Sequence, residues 1–135
     1  MGISLAFIQK LDELKLFTSK KPSILDIGSS NLYSASQAGV EEFLVKRGIP
    51  RSSELSSFAE RLAKGSAYDV VAGGANGSFV GELCEKAGMK YVAVDIADGY
   101  RTTILDLNRT SAPKHFIRAF DLVLNVGTTE HLLNQ

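Results

Sequence analysis

At 135 residues the chain has room for one domain, and its 44% hydrophobic content is enough to build a core. Fifteen basic and fifteen acidic residues cancel, so charge gives no signal for a nucleic-acid backbone or an anionic membrane; the one cysteine, Cys84, excludes an internal disulfide and a cysteine-rich metal site. No apolar run is long enough to span a membrane and residues 3–8 are too brief for a signal peptide, so a soluble cytoplasmic protein is expected.

Residues 3–17 read as an amphipathic helix, with Ile3, Phe7, Ile8, Leu11 and Leu14 on one face and Gln9, Lys10, Asp12, Glu13 and Lys15 facing away. Lys20-Lys21-Pro22 breaks it. Ile24-Leu25-Asp26-Ile27-Gly28 reads as the first strand and runs into a polar turn, Ser29-Ser30-Asn31. Residues 38–47 and 53–64 predict two short helices, striped by Val40, Phe43 and Leu44 and by Leu55, Phe58, Ala59 and Leu62, with Ser52 or Ser53 capping the second. They read as a helical insertion spanning residues 30–72, a lid or a spacer, of which spacer is the plainer reading.

Residues 68–72 are apolar enough for a strand, but Gly73, Gly74 and Gly77 follow at once. A helix over residues 78–87 has Phe79, Leu83 and Ala87 on one face and Gly88 at its end. Lys90-Tyr-Val-Ala-Val-Asp95 is a short apolar run too brief for a helix, and it stops on a carboxylate. Residues 102–107 predict a third strand, residues 109–119 an irregular polar loop holding Pro113 and a solvated His115, and residues 120–126 a fourth strand buried in part on both faces. Gly127-Thr128-Thr129 then turns into a helix beginning Glu130-His131-Leu132-Leu133.

Alternating strands and helices define an α/β chain with a Rossmann-like open, mostly parallel sheet of about four strands. Asp95, Asp106 and Asn125 end three strands at the same relative place, and in such a sheet those ends share the edge where ligands bind. The span from Gly77 to Asp95 matches the roughly 20 residues between a glycine loop and the acid that accepts ribose hydroxyls. Two glycine loops are candidates, one at Asp26 and Gly28, the other at Gly73, Gly74 and Asn76. They need not compete: if residues 24–28 form the first strand, the helix starting near Ser78 must aim its N-terminus, with free backbone donors, at the edge where that strand ended. The rival arrangement makes residues 68–72 the first strand. Two distant histidines with no ligand spacing give no metal site.

Ile24-Leu25-Asp26-Ile27-Gly28, the strand ending at Asp95, Ile104-Leu105-Asp106-Leu107-Asn108, and Phe120-Asp121-Leu122-Val123-Leu124-Asn125 followed by Gly127-Thr128-Thr129-Glu130-His131 resemble the N-terminal half of a class I S-adenosylmethionine-dependent methyltransferase. Asn76-Gly77-Ser78-Phe79 and its helix also look like that family's first-motif loop, and the resemblance covers roughly residues 22–135. The chain departs from the usual Asp-x-Gly-x-Gly at Ser30, and at the later loop Val71 and Ala75 stand where an acid and a glycine would be.

The resemblance implies S-adenosylmethionine as cofactor and transfer of its methyl group to an unidentified acceptor. Asp26 and Gly28 would shape the loop beside the methionine portion, with Gly73, Gly74 and Asn76 adding contacts. Asp95 would bind the ribose hydroxyls and Ile96 would lie against adenine. Asp106 would meet the adenine amino group, Leu107 would donate backbone, and Asn125 and Gly127 would border the methyl group. Glu130 and His131 are the catalytic candidates, His131 as a substrate-side base, although a structural hydrogen-bonding role is the stronger reading of that pair. The family's sheet has about seven strands, so a C-terminally truncated domain is expected, with an open strand edge that invites a second copy. A nucleotide- or nicotinamide-binding module, or a non-catalytic remnant serving as an interaction domain, are the alternatives.

Overall fold

The protein's structure, a computed structural model, describes residues 2–71, 73–75 and 77–131. Its centre is a four-stranded, all-parallel sheet. In chain order the elements are β1 (Gly2–Ser4), α1 (Leu5–Glu13), β2 (Ser23–Ile27), β3 (Asn31–Tyr33), α2 (Gln37–Lys46), α3 (Ser53–Gly65), β4 (Tyr68–Asp69), β5 (Gly74–Ala75), α4 (Val80–Lys86), β6 (Lys90–Asp95), β7 (Thr102–Ile104) and β8 (Leu122–Leu124). The sheet order is β7-β6-β2-β8, with β2 paired in parallel to both β6 and β8. Strand order therefore reverses beside β2, as in doubly wound folds. The α/β, Rossmann-like reading with a helical insertion after the first strand describes this architecture. Among the described residues, no helix is long and apolar enough to cross a membrane.

The register aligns Asp26, Ala93 and Leu124, all buried, on one face of the sheet. That face packs against α4, whose Leu83 and Cys84 are fully buried. Leu25, Val92 and Val123 share the other face and are more open, Val123 being 51% exposed. The fourth strand is thus covered on one face rather than on both. It is also shorter than residues 120–126, because Asp121 turns back to Ser23 and Asn125 caps the next turn.

Several elements differ from the sequence expectation. The first helix starts at Leu5, not residue 3, because Ser4 caps it by accepting from the Phe7 N–H (3.2 Å) and residues 2–4 pair with β3 instead. Its buried face is Leu5, Ile8 and Leu11; Phe7 and Leu14 are exposed, 41% and 58%. Asp12 does not face solvent freely: it accepts from Arg47 at 3.2 Å, both side chains nearly buried. The polar turn after β2 leads into β3, not into a helix. The rival first strand fails, since Tyr68 and Asp69 pair antiparallel with Gly74 and Ala75 in a small hairpin whose Val70 and Val71 are exposed; Ala72 lies outside the described residues. The third strand stops at Ile104. Asp106 accepts from the Asn108 N–H at 2.9 Å, and this local turn ends the ladder. Of the expected terminal helix, residues 129–131 form a single 3₁₀ turn and Leu132 and Leu133 lie outside the described residues.

Helices α2 and α3 match their expected spans to within one residue, with Ser36 and Ser52 as caps. Gly81 sets how closely α4 approaches the sheet. A Cβ there would meet the Tyr91 ring at 2.4 Å and the Tyr100 ring at 2.6 Å. Gly81→Ala should therefore destabilise the fold by about 1–3 kcal/mol, read as a lower urea midpoint with an unchanged slope. A second check concerns β8. The Ser23 N–H (2.7 Å) and Oγ–H (2.9 Å) both donate to Asp121, and these bonds hold the Asp121 carboxyl below its ordinary 3.8. The lowered folded-state value means this tether is complete above 3.8 and lost as pH falls through the lower value. Asp121→Asn should flatten that acid limb in melting temperature against pH.

Candidate functional site

The C-terminal ends of β6 and β7, with the turn after β8, enclose a cavity of about 230 Å³. Asp95 and Ile96 line it from the end of β6, Leu105, Leu107 and Asn108 from the turn after β7, and Thr128 and His131 from the turn after β8. Asp95 accepts from the Ala97 N–H through Oδ1 at 3.2 Å, which orients the carboxyl, and Oδ2 makes no bond within the described residues. Ile96 is 72% exposed at the mouth. One wall is thus a carboxylate oxygen and the others are largely aliphatic.

The turns behind the cavity are held by local bonds. The Thr128 hydroxyl donates to the Ile27 carbonyl, tying the β8 turn to the end of β2. Asn125 donates to the Thr129 hydroxyl at 2.8 Å and accepts from the Thr129 N–H at 3.3 Å, so it acts as the cap of the 129–131 turn. Gly127, at φ 79°, takes the left-handed conformation this turn needs.

Among the expected cofactor residues, Asp95, Ile96 and Leu107 come together in the cavity. Asp106 does not line it. Its carboxyl is engaged by the Asn108 N–H and by Arg109 at 3.4 Å. Asn125 and Gly127 shape the adjoining turn without lining the cavity. Gly73 and Gly74 belong to the β4–β5 hairpin, which packs on β3, and Asn76 lies outside the described residues. Glu130 and His131 are both exposed and pair at 3.5 Å. His131 lines the same cavity as Asp95.

Asp26 shapes its loop from within the core. Fully buried, it accepts from the Ser30 N–H (2.8 Å), the Ser30 hydroxyl (3.1 Å) and the Tyr91 hydroxyl (2.6 Å). None of it is exposed to solvent. Gly28 is likewise enclosed, donating to the Val94 carbonyl at 2.8 Å with φ 118°. Helix α4 does begin against this loop, as the split-loop arrangement requires: the Val80 N–H donates to the Ser30 carbonyl (3.0 Å) and the Leu32 N–H to the Ser78 carbonyl (2.8 Å). Two of the expected free donors are nevertheless taken, the Val80 N–H by Ser30 and the Phe79 N–H by Glu82 (3.0 Å).

Sequence reasoning passed over Tyr91 and Gly81. A tyrosine one strand away from a buried acid, and a glycine inside a helical run, were the signals available. Burial first, then the Asp26 charge and hydrogen bond, push the Tyr91 hydroxyl far above its usual range, so it remains a donor. Burial, reinforced by Asp26, also pushes the Cys84 thiol up to about 12, which makes it an inert core residue. Comparison of the chain with protein-family models, curated proteins and solved structures finds no match.

Removing the Asp26 carboxyl strands two buried hydroxyls and one amide. Asp26→Ala should cost about 2–4 kcal/mol and Tyr91→Phe about 1–2 kcal/mol, both measured by urea unfolding at neutral pH. Equal small effects would contradict the network.

Proposed function

We propose that this chain is the cofactor-binding half of an S-adenosylmethionine-dependent methyltransferase. The observation that carries the reading is the sheet-edge cavity, where Asp95 at the end of β6 faces Leu105 and Leu107 beyond β7. Its volume is below the roughly 300–1,000 Å³ of whole-ligand pockets and suits a nucleoside portion. The donor chemistry fits: a carboxylate oxygen left unused by the protein for ribose hydroxyls, and aliphatic walls for a flat ring.

When bound, S-adenosylmethionine supplies an electrophilic methyl group on a sulfonium. The chain's own part is positioning, which for direct displacement carries most of the acceleration. Asp95 would accept hydrogen bonds from the ribose hydroxyls. Ile96, Leu105 and Leu107 would supply the apolar walls for adenine. The Asn125–Thr129 cap and Gly127 hold the turn that would border the transferred group. His131 lines the same cavity and would contact the cofactor there.

A thermal melt with S-adenosylhomocysteine tests the reading. A ligand that binds only the folded chain adds about 2.7 kcal/mol at 100 times its Kd, and a clear rise in melting temperature is expected. Asp95→Ala should weaken binding about tenfold or more. A cooperative melt that does not move overturns the proposal. A shift with a nicotinamide cofactor alone would point to a different nucleotide module, and self-association with no ligand shift to an interaction domain.

A further inference from the structure

A second concave surface lies on the opposite side of the sheet. Residues 19–21 ahead of β2, residues 46–49 after α2 and residues 87–88 after α4 enclose a cleft of about 550 Å³, more than twice the volume at the C-terminal edge. Four of its lining residues are basic, Lys20, Lys21, Lys46 and Arg47, and none is acidic. In a chain of zero formal charge this is a marked concentration of one sign.

The four cations differ in what they are free to do. Arg47 is committed: it donates to Asp12 (3.2 Å) and to the carbonyls of Ser19 (3.5 Å) and Lys20 (3.1 Å), and only 12% of its side chain is exposed. It forms the back wall and fixes the backbone that carries Lys20. The Lys46 ammonium stands 3.4 Å from the second Asp12 oxygen but is 61% exposed; beyond it, on the neighbouring surface, lie Glu13 and Glu42. Lys20 and Lys21 form no salt bridge among the described residues.

Helix C-termini attract cations, which would explain a lysine in the last turn of α2 without any ligand. That explanation covers Lys46 alone. Lys20 and Lys21 come from a different segment. Two carbonyls at each helix end are already occupied, Leu44 by the Ile49 N–H (3.0 Å), Val45 by Gly48 (2.9 Å), Cys84 by Met89 (3.0 Å) and Glu85 by Gly88 (2.9 Å). Ile49 and the lysine stems supply apolar surface between the charges.

We infer that this cleft binds a small organic anion, a phosphate ester or carboxylate whose charged group meets Lys20, Lys21 and Lys46 while its apolar body lies against Ile49. The site is separate from the sheet-edge cavity and independent of the methyltransferase reading. The test titrates the full chain with phenyl phosphate, benzoate and inorganic phosphate at low salt, following backbone amide resonances. Saturable shifts confined to residues 19–21, 46–49 and 87–88 are expected, weakening as salt is raised. Phenyl phosphate should bind more tightly than inorganic phosphate, and comparison with benzoate tells phosphate from carboxylate. Lys20→Gln with Lys21→Gln should weaken binding about tenfold or more, and Asp95→Ala should leave it unchanged. Absence of saturable shifts with all three probes overturns the inference, as do shifts that the double lysine variant leaves intact. Equal affinity for phenyl and inorganic phosphate removes the apolar subsite.

Discussion

The carboxyl group of Asp26 joins four parts of the molecule at one buried point. It sits on β2, the strand with partners on both sides, and accepts from Ser30 in the following turn and from Tyr91 on β6. Through the Ser30 carbonyl the same turn receives the first N–H of α4. A buried carboxyl without partners would be strongly unfavourable, so the three donors and the acid stabilise only as a set. Strand, turn, helix and neighbouring strand are thereby registered to one another. Gly81 completes the arrangement, since the Tyr91 ring occupies the space its side chain would need.

This interior role of Asp26 decides which strand-end groups stay open to solvent. With Asp26, Gly28 and the Phe79 and Val80 N–H groups occupied by the protein itself, the turn after β2 is a structural joint. The unengaged polar and apolar groups lie one and two strands over, at Asp95, Ile96, Leu105 and Leu107. The loops that frame them are short and self-capped: Asp95 holds Ala97, Asp106 holds Asn108, and Asn125 holds Thr129. Each acid or amide at a strand end first organises its own turn. Of these three, Asp95 alone keeps an oxygen unengaged among the described residues.

Charge is balanced over the whole chain and uneven across it. The sheet-edge cavity carries a carboxyl, while the opposite cleft gathers four cations, of which Lys46 and Arg47 share one acid, Asp12. Net charge therefore says little about either surface, because what a ligand meets is the local potential.

Much of the architecture was legible in the sequence by itself. The strand over residues 90–95, the two helices of the insertion and their serine caps follow from apolar periodicity and local capping chemistry, which depend on neighbours a few residues apart. Asp95 at a strand end was equally readable. Tertiary contacts decided the rest. Nothing near residue 3 announces that residues 2–4 will pair with Asn31–Tyr33 rather than extend the helix. Nothing near Gly73 shows that its loop will fold into a hairpin on β3 and stay out of the cavity. Asp26 and Asp95 both look like strand-end acids along the chain. Only the folded partners, a tyrosine 65 positions away for one and an unengaged oxygen in a cavity for the other, separate a core acid from a candidate ligand.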